Sequence, residues 1–252
     1  MAYVPAERPT MYFIGVTTSG SSIRQVFPHW AEYLKLNSAV LKGIDFAPHS
    51  SPAAYREAVD FIKQDPLSRG ALVTTHKMDL FTAARDLFDE LGPYAGVMGE
   101  VSSIAKEARG LVGRAKDPIT SGLALERVVS PDFWEQSGAE VLLFGAGGSA
   151  LALSVFLAKA EHGDNRPRRI VVTNRSQTRL DEMERVHRSI DIGIPVEYVL
   201  AEEPHQNDAV LATIAEGSLV VNATGLGKDA PGSPITDAAE FPRRAIAWDF
   251  NY

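Results

Sequence analysis

The stretch Val141-Leu-Leu-Phe-Gly-Ala-Gly-Gly-Ser-Ala150 decides the fold of this chain. Four apolar residues run directly into Gly145, Ala146, Gly147 and Gly148. Such a short apolar run is typical of a strand buried on both faces. Glycines at its end let backbone N–H groups approach a ligand closely, and the helix that follows would direct its positive end at the same ligand. The pattern predicts the phosphate-binding turn of a dinucleotide-binding fold, with a plain structural turn as the alternative.

The segments around this turn alternate between strand and helix patterns. Arg169-Ile-Val-Val-Thr173 is a second apolar strand pattern, and it completes a βαβ unit of about the expected length, ~30 residues. The same alternation extends through the first half of the chain. We therefore expect an α/β protein with two domains: an α/β substrate-binding domain at 1–125 and a Rossmann-like dinucleotide-binding domain at 126–252.

Local patterns in the first half predict where helices begin and which residues they bury. Because Pro28 is tolerated only in the first turn of a helix, the first regular helix is expected to begin near Phe27. Another helix is expected over 80–91, ended by Gly92-Pro93. The first helix should bury one apolar face, which comprises Ile23, Val26, Phe27, Trp30, Ala31 and Leu34.

Composition excludes several classes of function. The net charge of −7 and the pI near 5.4 argue against a nucleic-acid partner, which would require a basic face. The absence of cysteine excludes disulfides and thiolate catalysis, and the spacing of histidines and carboxylates indicates no metal site. No apolar run reaches the ~18 residues of a membrane span, and Met1–Thr10 has no apolar core of a signal peptide. We expect a cytoplasmic protein that acts on a small molecule, either a monomer or a homodimer.

Lys77 and Asp117 are the candidate catalytic pair. Each follows an apolar strand pattern in the half that lacks the glycine turn. A lysine ammonium held by a carboxylate can exchange a proton with a substrate oxygen while a hydride moves. The alternative is a pair of unrelated surface charges, which is what most lysines and aspartates are. The neighbouring His76 is interpreted as a structural histidine rather than a substrate ligand.

Asn174-Arg175-Ser176 ends the second strand of the βαβ unit and bears on the choice of cofactor. An NAD enzyme would place a carboxylate here to bind the ribose 2′-hydroxyl. Instead Arg175 and Arg179 offer guanidinium groups that suit a phosphate dianion, and this favours NADP. Ser176 has a second interpretation as the N-cap of the following helix, and both roles can hold together.

These motifs together resemble the shikimate dehydrogenase family (shikimate/quinate 5-dehydrogenase-like proteins) over nearly the whole chain. Gly145-Ala-Gly-Gly-Ser149 is similar to the family's glycine turn, and Asn174-Arg-Ser176 with Arg179 to its NADP-selecting motif. Asn222-Ala223-Thr224 resembles the start of the loop that faces the nicotinamide. Asp249-Phe-Asn-Tyr252 resembles the family's Asp-x-x-Tyr, which implies that Tyr252 touches the substrate.

The substrate motifs are only partly similar to those of the family. The family's lysine follows Asn-Val-Thr-x-Pro-x, where this chain has Ala-Leu-Val-Thr-Thr-His before Lys77; a one-residue gap would restore the Val-Thr. Of Asn-Thr-Asp, Ala-Lys-Asp117 keeps only the aspartate. The Ser-x-Ser that holds the substrate carboxylate becomes Ser21-Ser-Ile, with Ser19 or Ser22 as possible replacements. Ser102 stands in place of a family asparagine.

The resemblance implies an NADP-dependent oxidoreductase that transfers a hydride to or from a shikimate-like cyclic hydroxy or keto acid. Because several polar partners of shikimate are replaced, shikimate itself is expected to be a poor substrate. A ligand-binding or regulatory protein without turnover is the alternative. A methylenetetrahydrofolate dehydrogenase is disfavoured. Its Tyr-x-x-x-Lys signature requires a tyrosine four residues before the lysine, and this chain has Val73 four residues before Lys77. The resemblance also implies a terminal helix after the last strand, beyond Tyr252.

Overall fold

The computed structural model describes residues 3–36, 38–227 and 231–250. The chain divides into two compact units, Met1–Lys116 and Asp117–Tyr252. Each unit is built on a sheet with helices, which confirms the predicted two-domain α/β class. The division follows Lys116, whereas the sequence pattern predicts a boundary after residue 125, so Asp117 belongs to the unit that contains the glycine turn.

The first unit contains a six-stranded mixed sheet. Its strands are β1 (Thr10–Gly15), β2 (Val40–Asp45), β3 (Ser68–Val73), β4 (Glu90–Leu91), β5 (Ser103–Glu107) and β6 (Gly110–Arg114), in the order β2-β1-β3-β5-β6-β4. Strand β1 is parallel to β2 and β3, whereas β5 is antiparallel to both β3 and β6. The ends of β1, β2, β3 and β6 therefore meet the start of β5 at one edge, which we call the first edge.

The helices of this unit are α1 (Ile23–Tyr33), α2 (Pro52–Gln64), α3 (Lys77–Ala84) and α4 (Pro93–Met98). The N-cap of α2 is Ser51, whose hydroxyl accepts a hydrogen bond from Ala54 N (3.3 Å), and Pro52 occupies the first helical position. This helix buries Tyr55, Ala58, Val59 and Ile62 at helical spacing.

The predictions for α1 were wrong in two respects. The helix begins at Ile23, so Pro28 lies inside it. The first turn forms upstream of the proline, because Arg24 N and Val26 N donate to carbonyls at Ser21 and Ser22 (3.1 and 3.2 Å). Of the apolar face expected in the core, the side chain of Ala31 alone is buried, while those of Val26, Trp30 and Leu34 are exposed.

The prediction of a helix over 80–91 was also wrong. Helix α3 ends at Ala84, and a 3₁₀ turn, Arg85–Leu87, follows it. Asp89 binds the chain to strand β6 instead. Its N–H donates to Leu111 O (2.9 Å), and its carboxylate accepts from Leu111 N (2.7 Å). Gly92-Pro93 starts α4 instead of ending a helix, because proline suits the first helical position.

The second unit contains a five-stranded parallel sheet. Its elements are α5 (Asp117–Leu125), α6 (Phe133–Ser137), β7 (Val141–Phe144), α7 (Gly148–Leu157), β8 (Ile170–Asn174), α8 (Gln177–Ser189), β9 (Val196–Leu200), α9 (Pro204–Leu211), β10 (Leu219–Asn222) and β11 (Ile246–Asp249). The strand order is β11-β10-β7-β8-β9. From β7 the chain adds β8 and β9 on one side and then returns to add β10 and β11 on the other, so the order switches between β7 and β10. Ligands of such sheets bind at this switch point, outside the C-terminal strand ends, and we call this side the second edge.

The helix that leaves the glycine turn is the core of the second unit. All residues of α7 from Ala150 to Leu157 are buried, which is typical of a helix covered on every side. Helix α5 approaches it closely at Gly122, where an added Cβ would overlap the ring of Phe156. This contact explains why α5 groups with the second unit. No helix among the described residues has the length and apolar character needed to cross a bilayer.

Candidate functional site

The glycine turn lies at the switch point of the second sheet, where it contacts the ends of two other strands. Gly145 has φ +104°, and a Cβ there would lie 2.7 Å from Ala223 O, so only glycine fits without strain. Gly145 N donates to Thr173 O (2.8 Å), and Ala223 N donates to Phe144 O (2.8 Å). Backbone hydrogen bonds therefore fix the turn between the end of β8 and the chain after β10.

Beyond Gly145 the turn opens to solvent at the N-terminus of α7. Gly147, Gly148 and Ser149 are exposed, and a Cβ built on Gly147 meets no atom within 4 Å. The first N–H groups of a helix lack intrahelical partners and carry partial positive charge. The space in front of Gly147 therefore suits an anion such as a pyrophosphate, and the residues present fit a dinucleotide.

The loop after β10 is organised by Asn222. Its Oδ1 accepts hydrogen bonds from Thr224 N (3.2 Å) and Thr224 Oγ1 (2.7 Å). Its Nδ2 donates to Asp249 Oδ2 (3.2 Å) at the end of β11. The amide side chain thus ties Asn222, Ala223 and Thr224 to the neighbouring strand, and its polar atoms are used to shape the loop.

The turn after β8 presents the cationic and hydroxyl groups expected to select NADP. Asn174 Oδ1 accepts from Ser176 N (3.0 Å). Ser176 is the N-cap of α8 by position, but its hydroxyl makes no capping hydrogen bond. Arg179 pairs with Glu182 (2.9 Å), whereas Arg175 is exposed and makes no ion pair or side-chain hydrogen bond among the described residues. Arg175 is therefore the better placed of the two arginines to receive a phosphate.

Asp117 lies in an open pocket of ≈ 440 Å³ within the second unit. The pocket is lined by Asp117, Thr120, Ser121 and Ala124 of α5, Ser149 and Ala152 of α7, and Trp248 and Phe250 at the end of β11. The two aromatic rings meet edge to face, with centroids 4.6 Å apart. Asp117 begins α5, and Ser149 belongs to the glycine turn. The candidate carboxylate and the turn thus border one pocket.

Lys77 lies at the first edge, as the first residue of α3, and its side chain is half-buried. The preceding His76 is 1% exposed; its Nδ1 lies 2.9 Å from Tyr55 OH and its Nε2 3.1 Å from Phe46 O. Since a carbonyl can only accept, Nε2 donates and Nδ1 accepts from the tyrosine. Both ring nitrogens are therefore satisfied, which confirms the structural interpretation of His76.

The two serines predicted to bind substrate also lie at the first edge. Ser102 is buried; its hydroxyl accepts from Lys116 N (2.8 Å) and lies 3.4 Å from Arg114 O. Ser21 is half-buried in the loop between β1 and α1. The hydroxyl of Ser102 is thus already hydrogen-bonded to backbone groups. The substrate role of both serines stays a prediction. Tyr252 lies outside the described residues.

Sequence reasoning missed the residues that hold the Ser21 loop in place. Asp45 Oδ1 accepts from Thr18 N (3.0 Å), and hydrogen bonds from Thr18 lower the pKa of the Asp45 carboxyl. Thr18 is buried against Gly43, where an added Cβ would overlap the threonine hydroxyl. A glycine inside a strand pattern often marks such a close approach, and it was the available signal.

A buried histidine connects the helices that follow the glycine turn and the turn after β8. His187 of α8 lies 2.8 Å from Ser154 Oγ of α7 and 2.6 Å from Tyr198 OH of β9. Burial lowers the pKa of His187 to about 4, and burial raises the pKa of Tyr198 to about 12. The imidazole is therefore neutral at physiological pH and serves as a polar link inside the core.

Comparisons with known proteins agree with this geometry. No protein-family model matches the chain. Over 156 residues, which are 61% of this chain and 47% of the relative, it is 33% identical to a shikimate dehydrogenase (NADP(+)) of Desulforamulus reducens. The chain is therefore similar in sequence to curated shikimate dehydrogenases. It spans about half the length of the curated relatives that it matches.

Solved structures show the same fold. The shikimate 5-dehydrogenase of Listeria monocytogenes, in complex with shikimate and NAD, aligns with a TM-score of 0.72 at 16% identity, covering 99% of this chain and 81% of that one. The 5-ketofructose reductase of Gluconobacter sp. strain CHM43, in its ligand-free form, aligns with a TM-score of 0.65 at 17% identity, covering 98% and 80%. The same fold is therefore found in a protein named for another substrate.

Proposed function

We propose that the protein is an NADP-dependent oxidoreductase that transfers a hydride between NADP(H) and a shikimate-like cyclic hydroxy or keto acid. The curated relatives named shikimate dehydrogenase (NADP(+)) support this activity. The substrate is a small molecule, and the cytoplasmic location expected from the sequence stays a prediction.

The observation that carries the proposal is the meeting of three loops at the second edge. The open N-terminus of α7, from Gly145 to Ser149, would hold the pyrophosphate. Arg175 and Ser176, helped by Arg179, would bind the 2′-phosphate of the adenosine ribose. The loop Asn222–Thr224 would line the nicotinamide end. Each assignment matches the chemistry of a group to a part of the dinucleotide.

NADP(H) would supply or accept the hydride, and the protein's own part is the proton. Lys77 would donate a proton to the substrate oxygen during carbonyl reduction and take it back during alcohol oxidation. Asp117 is the carboxylate proposed as the second member of this catalytic pair. The pocket beside Ser149 would orient the substrate, since alignment of reacting groups supplies much of the rate.

The substrate motifs argue for a ring with fewer hydroxyl partners than shikimate needs. Ser102 replaces an amide side chain, and its hydroxyl bonds backbone groups at Arg114 and Lys116. Each buried hydroxyl left without a partner costs about 1–3 kcal/mol. We expect the specificity constant for shikimate to lie well below the ~10⁶ M⁻¹s⁻¹ of a good enzyme on its own substrate. Steady-state kinetics would decide, and a value near that figure would contradict this part of the proposal.

The deciding experiment is a substrate screen that follows NADPH absorbance. The panel should contain shikimate, quinate, their keto forms and 5-ketofructose, each with NADP(H) and NAD(H). Turnover of a cyclic hydroxy or keto acid that is lost in Lys77→Met would support the proposal. If NADP(H) binds by isothermal titration and no panel member turns over, the non-catalytic alternative would be favoured. Absence of dinucleotide binding would overturn both.

A further inference from the structure

The second unit contains another pocket, at the end of α7 that lies away from the glycine turn. Its volume is ≈ 390 Å³, within the roughly 300–1,000 Å³ that is typical of small-molecule sites. Phe156 and Leu157, the last residues of α7, line it. At 1.5 Å per residue, Phe156 lies roughly 12 Å along the helix from Gly148. We call this cavity the distal pocket, and none of the described residues proposed to bind cofactor or substrate lines it.

The lining of the distal pocket is mainly apolar, and three of its side chains are rings. Trp134 of α6 and Phe156 of α7 are buried, and His162 follows in the 3₁₀ turn Ala160–His162. The rings of Phe156 and His162 meet edge to face, with centroids 4.9 Å apart. Aromatic rings pack favourably on other rings in edge-to-face or offset arrangements. The lining therefore favours a flat aromatic ligand over an aliphatic one.

Hydrogen bonds within the protein hold the walls of the distal pocket in place. Asn165 Oδ1 accepts from Trp134 N and Glu135 N (both 3.0 Å), and Asn165 Nδ2 donates to Pro131 O. These bonds tie the start of α6 and the segment before it to the loop after α7. A ligand that enters a pocket with fixed walls loses little affinity to ordering of the protein. The distal pocket is thus preformed, as small-molecule sites usually are.

His162 gives the distal pocket a polar group with a defined direction. Its Nε2 lies 3.1 Å from Phe156 O. Since a carbonyl can only accept, Nε2 donates, and Nδ1 of the neutral ring is then an acceptor. Among the residues that the structure describes, none donates a hydrogen bond to this Nδ1. A ligand with an N–H or O–H group can supply that donor.

The charges around the distal pocket favour an uncharged ligand. Glu126 and Arg127 line the pocket together, and both are exposed. Their charges are opposite, and exposed charges are screened by salt. The ammonium of Lys159 lies 4.8 Å from the centroid of the Phe156 ring, where it would repel a cationic ligand. Neither a cation nor an anion therefore has a clear advantage over a neutral molecule.

We propose that the distal pocket is a binding site for a small, flat, uncharged aromatic molecule that carries an N–H or O–H donor, such as an indole or a phenol. The ring of the ligand would pack on Trp134 and Phe156, and its donor would bond to His162 Nδ1. The site is separate from the proposed cofactor turn, and it does not depend on the proposed enzymatic activity.

Chemical-shift titration of the ¹⁵N-labelled full chain with indole tests the proposal. Shifts are expected at the amides that line the distal pocket and at the side-chain N–H of Trp134, with a Kd below ~1 mM. Benzofuran has the same ring size as indole but an oxygen in place of the N–H group. It should bind at least ~5-fold more weakly, because the acceptor of His162 then stays unpaired.

His162→Leu tests the polar contact. This variant removes the acceptor, so the preference for indole over benzofuran should fall to less than ~2-fold. The carbonyl of Phe156 keeps a partner in the variant, since Lys159 N also donates to it (3.1 Å).

A pair of adjacent substitutions tests the location of the site. Val129 lines the distal pocket, so Val129→Trp should fill it and weaken indole binding by at least ~10-fold. Val128 is 62% exposed and is not among the lining residues. Val128→Trp is therefore the matched control and should bind indole as the wild type does.

Four results would overturn the proposal. In the wild type they are an absence of shifts at the distal pocket up to ~10 mM indole, and equal affinity for indole and benzofuran. In the variants they are a preference for indole that persists in His162→Leu, and wild-type affinity for indole in a folded Val129→Trp.

Discussion

The first and second edges hold their polar groups in different ways. At the second edge, backbone and glycine form the site: Gly145 is locked against Ala223, and Gly147 leaves open space. At the first edge, side chains rather than backbone groups form the candidate site. Several of these side chains already make hydrogen bonds within the protein. The hydroxyl of Ser102, for example, bonds with backbone groups at Arg114 and Lys116. A site made of backbone survives sequence change because few side chains define it. A site made of side chains changes its ligand when those side chains change.

The largest expected effect is a loss of turnover from a change at the first edge, without a loss of cofactor binding at the second. Lys77→Met should lower turnover by roughly 10²–10⁴, because proton transfer to the substrate oxygen is lost. Its affinity for NADP(H) should stay unchanged, since the proposed cofactor residues belong to the second unit. Steady-state kinetics and isothermal titration give the two values. Lys42→Met, at an exposed lysine of β2, is the control. Near-normal turnover in Lys77→Met would remove the lysine from the mechanism.

The next effect tests whether the core behind the second edge depends on a neutral histidine. His187 has a pKa of about 4 in the folded chain, whereas an unperturbed histidine has a pKa of 6.5. Between these values the unfolded chain binds more protons, so the free energy of unfolding should fall as pH drops from 6.5 to about 4. This single group would account for about 3 kcal/mol.

Urea unfolding of the wild type and of His187→Gln over this pH range is the test. The variant should be less stable at neutral pH but should lack this part of the pH dependence. Equal pH dependence in both proteins would show that His187 is not the group responsible.

A matched pair of glycine variants tests the backbone character of the second edge. Gly145→Ala should destabilise the fold by about 2 kcal/mol, because its positive φ and the Ala223 carbonyl leave no room for a Cβ. Gly147→Ala has ordinary extended backbone and open space, so its stability should change by less than ~0.5 kcal/mol. Instead it should weaken NADP(H) binding. Thermal unfolding and titration distinguish the two, and identical behaviour would contradict this account of the turn.

The smallest expected effect concerns the side chains that the second edge does use. Arg175→Ala should weaken NADP(H) binding by ~10-fold and leave NAD(H) binding nearly unchanged, since only NADP carries the 2′-phosphate. Arg188→Ala is the control, because Arg188 pairs with Glu184 in the last turn of α8. Isothermal titration with both cofactors gives the ratio. A similar loss for both would indicate a general charge effect.

The sequence was informative where a pattern depends on backbone geometry. The strand, the glycine turn and α7 could be predicted, because apolar runs and glycines report burial and close approach directly. The burial of α1 could not be predicted, because its apolar residues cover a wide arc and the sequence does not indicate which part of that arc contacts the sheet. Nor could the hydrogen bond between Thr18 and Asp45, which joins residues distant in the chain. The partners of Ser102 were likewise hidden, because strand pairing brings Lys116 to it.

The burial of α7 from Ala150 to Leu157 limits how far the second edge can move. Amide groups from Ala150 to Leu157 can exchange hydrogen only when the helix opens, and that opening exposes the centre of the unit. Their exchange should therefore require nearly the full free energy of global unfolding. The glycine turn is attached directly to this slowest-exchanging segment. A dinucleotide would consequently meet a surface that does not rearrange on binding, so little entropy would be lost in ordering the protein around it.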